Sequence, residues 1–264
     1  VEYLFNKDST YYLLEEDRCI SNIVRAKEAG FAVLVSPNFV SAGGHNFERR
    51  GIVMTKERYL KISEEIALKW AGIAEELNVE FFAPQNELDG VIKVNFARNN
   101  SEVAEITSVW HEQMLPKLKK VFNGKLMIKL TGVKEEYKTI NAGGYDYIGI
   151  TLFHRNKGLV AFREDVREQY SIIADISERN NISWLVSEAW FPYGKKIFYP
   201  VETNEDGESL NELQDEYYDI SIQEYSEFAG NKPSGYIFCA WLMPGLDVKE
   251  RTAANSLKAF FNRI

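Results

Sequence analysis

The sequence predicts an α/β protein, a (β/α)8 barrel, on three observations. Short β-rich apolar runs alternate with longer amphipathic ones along the whole chain. The apolar runs are continuous rather than alternating, as strands of a parallel sheet buried on both faces are. Residues able to carry chemistry or contact a ligand follow directly after several of these runs, in Ser36–Asn38, Gln85–Glu87, Phe153–His154, Glu188 and Trp241. A barrel collects its chemistry at the C-terminal ends of its strands. The competing open dinucleotide-binding sheet needs a glycine-rich turn after an early strand, and Gly43–Gly44 is too short and ill placed for one.

Taken in order, Val1–Phe5 is the first apolar run and is expected to lie beside Phe31–Val35. Between them Glu15–Ala29 reads as a helix stopped by Gly30. Thr55 is a plausible N-cap for a long helix ending near Asn78. Val79–Pro84 reads as a strand, Ser101–Phe122 as a helix with a serine cap, and Lys125–Leu130 as a strand. A short helix through Tyr137 precedes the strand Tyr145–Leu152. Helix Val160–Asn180, strand Ile182–Ser187, helix Asn211–Ala229, strand Gly235–Ala240 and a helix from Val248 onward follow. Residues 192–210 are the longest irregular stretch, a length at which loops in compact domains are usually functional. Nothing in composition marks a second domain, so residues 1–264 are expected to form one barrel domain; a single barrel commonly runs to about 250 residues.

Net charge is −8, from 31 Lys and Arg against 39 Asp and Glu, with no long basic run. That argues against nucleic acid, whose binding neutralises phosphates, and favours a neutral ligand. Cys19 and Cys239 form no CxxC or Cys/His cluster, so neither zinc nor a disulfide framework is expected. No apolar run reaches the ~18 residues of a membrane span.

Glu87, in APQNELDG, and Glu188, in WLVSEAW, each end a long apolar run. In a parallel barrel both strand ends lie on one face, so both carboxyls are predicted to share one mouth. Hydrolysis of a glycosidic bond needs such a pair: an acid to protonate the leaving oxygen, and a carboxylate to attack carbon or activate water. Two unrelated surface salt bridges are the plain alternative.

Asn86–Glu87 resembles the Asn-Glu pair ending the fourth strand in the clan of retaining (β/α)8-barrel glycosidases. Glu188 resembles that clan's seventh-strand nucleophile, and Trp241, in FCAWLMPG, the tryptophan that ends strand eight and floors the sugar subsite. The strand count agrees. From the strand of Glu87, KLMIKL is one strand on, YDYIGITL two and ISWLVSE three, which makes Glu188's strand the seventh. Counting back makes VEYLF the second strand, so seven strands are expected here and the first is expected upstream of Val1. Ser36–Pro37–Asn38 and the run Tyr145–Gly149 resemble a β-mannanase family more loosely.

The resemblance implies a double displacement on a β-linked glycan of mannan or glucan type, by endo action and without cofactor or metal. Glu188 is the nucleophile and Glu87 the acid/base, and the two carboxyls are about 5–5.5 Å apart. It implies substrate contacts from Asn86 and Trp241; Asn38, His154, Trp190 and Tyr193 are further candidate contacts, with plain packing the alternative for the two tryptophans and a loop histidine satisfied by backbone the alternative for His154. Where the clan often carries a tyrosine that hydrogen-bonds the nucleophile, this chain has Phe153, leaving His154 and Tyr193 as replacements. Where strand three often ends in histidine, Asn38 stands. A barrel that binds glycan without cutting it is the alternative. His111 and Asp146 read as structural, Asp89 as a helix cap, and His45 as a loop histidine. A polymeric substrate implies an extracellular or cell-envelope location.

Overall fold

The structure, a computed structural model, describes residues 1–5, 11–13, 15–41, 52, 54–153, 159–191, 209–239 and 248–262. These form two compact units. The first comprises residues 1–149 and 175–183, the second residues 150–174 and 184–264.

Unit one begins with β1 (Glu2–Phe5) and β2 (Tyr11–Leu13), then α1 (Glu16–Glu28), β3 (Leu34–Val35) and β4 (Asn38–Ser41). Contrary to expectation, β1 does not pair with Leu34–Val35. It pairs in parallel with β4, Glu2 opposite Asn38 through Phe5 opposite Ser41, and on its other side meets β2 antiparallel. The reason is local. β3 and β4 are halves of one extended segment interrupted at Ser36–Pro37, and a proline gives no N–H to a ladder. β3 therefore serves β5 (Phe81–Phe82), while β4 serves β1.

Helix α1 stops at Gly30 as predicted, at φ 82° with its N–H on the Lys27 carbonyl, 2.9 Å. Thr55 caps α2 (Lys56–Glu76), its hydroxyl accepting from the Arg58 N–H at 3.3 Å. The next long helix, α4 (Asn100–Leu118), is capped two residues before the expected Ser101, because Asn99 provides the cap by accepting the Glu102 N–H at 2.9 Å. Between β5 and α4 a short helix, α3 (Leu88–Asn95), was not foreseen. Unit one continues through β6 (Lys125–Leu130), a 3₁₀ turn at Glu135–Thr139 holding buried Tyr137, and the start of β7 (Tyr147–Phe153). Its sheet runs β3, β5, β6, β7. The core holds Tyr59 and Trp70 of α2, Phe39, Phe82, Leu88, Ile92 and Met114, all fully buried.

Two polar anchors sit in that core region. Asp146, just before β7, accepts Lys125 Nζ at 2.7 Å and the Leu126 N–H at 3.0 Å, the structural role expected of it. His111 of α4 is buried, with Nδ1 3.2 Å from the Tyr145 hydroxyl, and desolvation lowers its pKa to about 3.

Unit two holds the end of β7, then most of α5 (Leu159–Asn180), β8 (Ser183–Trp190), α6 (Leu210–Glu227), β9 (Tyr236–Phe238) and α7 (Ala253–Phe261). Its sheet runs β7, β8, β9. Ser209 caps α6 by accepting the Glu212 N–H. Helices α6 and α7 are joined by Asn211 to Thr252, 2.7 Å, and Ser256 to Asp215, 2.9 Å. Glu224 of α6 ties to α5 by accepting from Arg163 at 2.5 Å and Arg167 at 2.7 Å. With β3 and β4 taken as one strand, the positions β1, β3/β4 and β5 through β9 give the seven predicted strands among the described residues. No described helix is long and apolar enough to cross a membrane.

Candidate active site

Each predicted carboxylate is built by its own unit, and both use the same local device. In unit one, Phe82 pairs with Leu126, yet four residues later Asn86 bridges Lys129, only three residues beyond Leu126. One extra residue on the β5 side re-aims the chain, as bulges do. The backbone is then fixed from both sides: Asn86 N–H donates to the Pro37 carbonyl at 2.7 Å, and Glu87 N–H to the Lys129 carbonyl at 3.2 Å. Glu87 itself turns left-handed, φ 60° and ψ 54°, to start α3, and is 4% exposed. Burial and backbone strain together at a strand end are costly, and such combinations collect at functional sites.

The residues around Glu87 divide by face, as the two-residue period of an extended chain requires. Gln85 is fully buried and donates to the Tyr59 hydroxyl of α2. Asn86 turns the other way: its Nδ2 lies 3.5 Å from Asn38 Oδ1, the long limit of a hydrogen bond. Asn38 is itself buried, in β4, so two of the predicted substrate-contact residues come together in unit one. The Asn86 amide oxygen is buried with no hydrogen-bond partner among the described residues. An unsatisfied buried acceptor of this kind costs about 1–3 kcal/mol and is a place for a polar ligand group. Asp89 proves not to be a helix cap. It lies inside the first turn of α3, accepting from the Thr131 N–H at 3.0 Å and its hydroxyl at 3.3 Å. Sequence reasoning also missed Lys129, a lysine only 7% exposed on β6 beside Asn86. Lysines are rarely so buried, but its strand reads as an ordinary apolar run and hides it.

In unit two, Glu188 lies within β8 rather than after it. The register with β9 slips here too: Val186 pairs with Tyr236 and Ala189 with Phe238, so three steps on β8 answer two on β9. Ser187 and Ala189 are buried, whereas Glu188 and Trp190 are half-buried and share the other face. Two predicted site residues thus come together in unit two. The predicted contacts His154, Tyr193 and Trp241 lie outside the described residues, as does His45, and nothing is described of the Phe153 side chain.

No family model and no curated protein sequence matches the chain. Solved structures do. A GH113 β-1,4-mannanase superposes on all of this chain and 86% of its own, with a TM-score of 0.74 at 17% identity. A GH113 β-mannanase from Alicyclobacillus acidocaldarius gives a TM-score of 0.71 at 12% identity, over all of this chain and 85% of that one. GH26C from a Muricauda species gives a TM-score of 0.60 at 17% identity, over 94% and 70%. The fold is therefore the (β/α)8 barrel of these glycoside hydrolases.

Proposed function

We propose that this chain is a retaining glycoside hydrolase that cleaves a β-linked glycan, of mannan or glucan type, within the polymer. The observation that carries the reading is Glu87, buried, strained and preceded by an asparagine with an unsatisfied amide oxygen, at the end of a strand in a glycosidase fold. Glu188, at the matching slip of β8, is the partner carboxylate the chemistry requires.

The reaction runs in two displacements. A Glu188 carboxylate oxygen attacks the anomeric carbon while the glycosidic C–O bond breaks, and the Glu87 proton passes to the leaving oxygen. Water then attacks the same carbon, gives its proton to Glu87 and releases Glu188 from the ester. Asn86 engages the 2-hydroxyl, a contact that strengthens as the oxocarbenium-like transition state forms. A hydroxyl both donates and accepts, so either end of the amide can serve. Trp241 and Trp190 stack on sugar rings, and Asn38, His154 and Tyr193 supply further substrate contacts. A polymeric substrate places the enzyme outside the cell or in its envelope.

Chemical rescue tests the roles. Glu188→Ala and Glu87→Ala should both lose cleavage of polymeric β-mannan and β-glucan. On an aryl glycoside, whose leaving group needs little protonation, Glu87→Ala should still form the intermediate but release it slowly. Azide needs no general base, so it should restore turnover there and give the β-glycosyl azide. In Glu188→Ala azide should attack the opposite face and give the α-product. Exchanged stereochemistries would reverse the two roles. A wild type that cleaves no β-glycan but binds one would leave only a carbohydrate-binding barrel.

A further inference from the structure

We infer that Ser187 and Tyr218 are positioning residues that set the attack geometry of Glu188; the inference rests on Glu188 being the nucleophile. Glu188 sits in a register slip against β9, where that ladder is locally irregular. Side chains of unit two add a tether on each side of that slip. Before it, the buried Ser187 hydroxyl donates to the Ile150 carbonyl of β7 at 3.1 Å. After it, the Ala189 carbonyl accepts twice, from the Cys239 N–H at 2.8 Å and from the Tyr218 hydroxyl at 3.2 Å.

Tyr218 does more than satisfy one oxygen. The same hydroxyl lies 3.1 Å from the Cys239 carbonyl, so its single hydrogen is shared between the ends of β8 and β9. The neighbouring Tyr217 donates to the Leu152 carbonyl of β7 at 2.6 Å. Consecutive residues of α6 thus reach the C-terminal ends of three strands, on rings that are fully buried and packed edge to face, 5.0 Å between centroids. These rings cannot swing without opening the core, so the hydroxyl positions are fixed by packing. A nucleophile must approach its carbon within a few tenths of an ångström of the productive line, and a displacement of about 1 Å can cost on the order of 100-fold in rate. The tethers therefore act on the chemical step, and the Ser187 tether, on the far side of Glu188 from Trp190, does so apart from the sugar-binding groups.

The experiment follows covalent trapping of Glu188 by 2-deoxy-2-fluoro-β-mannobiosyl fluoride, with the gluco analogue alongside, in wild type, Ser187→Ala, Tyr218→Phe, the double variant and Tyr225→Phe. The last removes a hydroxyl of the same helix that bonds the Pro233 carbonyl at 3.2 Å, away from Glu188. The limiting trapping rate constant should fall on the order of 10-fold in each single variant and further in the double. The half-saturating concentration should stay within about twofold in Ser187→Ala, whose tether lies on the far side of Glu188 from Trp190. Trapping at the wild-type rate in a variant that merely melts lower would overturn the inference, as would an equal loss in Tyr225→Phe. If Tyr218→Phe fails to fold, Ser187→Ala decides alone. A wild type labelled by neither probe would sink the nucleophile assignment itself, and the positioning role with it.

Discussion

Glu87 occupies a backbone region that costs a side-chain-bearing residue about 1–2 kcal/mol, because Cβ crowds its own carbonyl. Nothing in α3 needs a glutamate there. As the helix N-cap it makes no side-chain capping bond, and a glycine would start the helix without strain. On the proposed function, the strain is carried for the carboxyl group. Glu87→Ala keeps the left-handed strain and loses the carboxyl, whereas Glu87→Gly loses both. Urea unfolding should find the glycine variant more stable than the alanine variant by about 1 kcal/mol, with both inactive on polymer. Equal stabilities would mean that the turn is held without strain and that its conformation says nothing of function. The residue itself was legible in the sequence, as a glutamate after an apolar run. Its conformation was not, because the turn depends on the Lys129 carbonyl, which β6 delivers from 42 residues further along the chain.

At the scale of elements, α4 carries a histidine whose charge the fold does not tolerate. His111 packs edge-on against Trp110 and Tyr145, ring centroids 5.0 and 5.5 Å away, and burial lowers its pKa from 6.5 to about 3. Between those two values the unfolded chain binds a proton that the native state refuses, so stability is full above pH 6.5 and falls as pH drops toward 3. One such proton contributes at most about 1.4 kcal/mol per pH unit. His111→Phe keeps a ring in place and leaves the Tyr145 hydroxyl its bond to the backbone carbonyl of residue 111, 3.0 Å. Its urea midpoint should therefore change less between pH 7 and pH 5 than that of wild type; an unchanged pH dependence would mean that other groups carry the acid sensitivity. The order of long elements was readable because caps and stops such as Thr55 and Gly30 act locally. The escapes were elements whose existence depends on a distant partner. β2 exists by pairing with β1, β4 parts from β3 at a proline, and both register slips require the facing strand to be known. Those slips are the feature the two candidate carboxylates share, so the part of the site that sequence could not reveal is the part that aims it.

Over the whole molecule, charge says more about the substrate than any single contact does. Thirty-nine acidic residues against 31 basic ones leave the chain at −8, and the two candidate catalytic side chains, Glu87 and Glu188, are carboxyls as well. A field of this sign repels polyanions over a Debye length, about 30 Å at 0.01 M salt and 8 Å at 0.15 M, while a neutral glycan feels none of it. If the substrate is neutral β-mannan or β-glucan, kcat/KM should be flat, within about twofold, as ionic strength rises from 0.01 to 0.15 M. A uronate-rich glycan should be a poorer substrate at low salt and improve as salt is added, because screening removes a repulsion rather than an attraction. The informative failure is the reverse. If a uronate-bearing glycan is cleaved best at low salt and loses rate as salt rises, a local cation must be drawing it in against the net charge. Buried Lys129, beside Asn86 and Glu87, would be the first residue to replace, and Lys129→Met should then abolish that salt dependence.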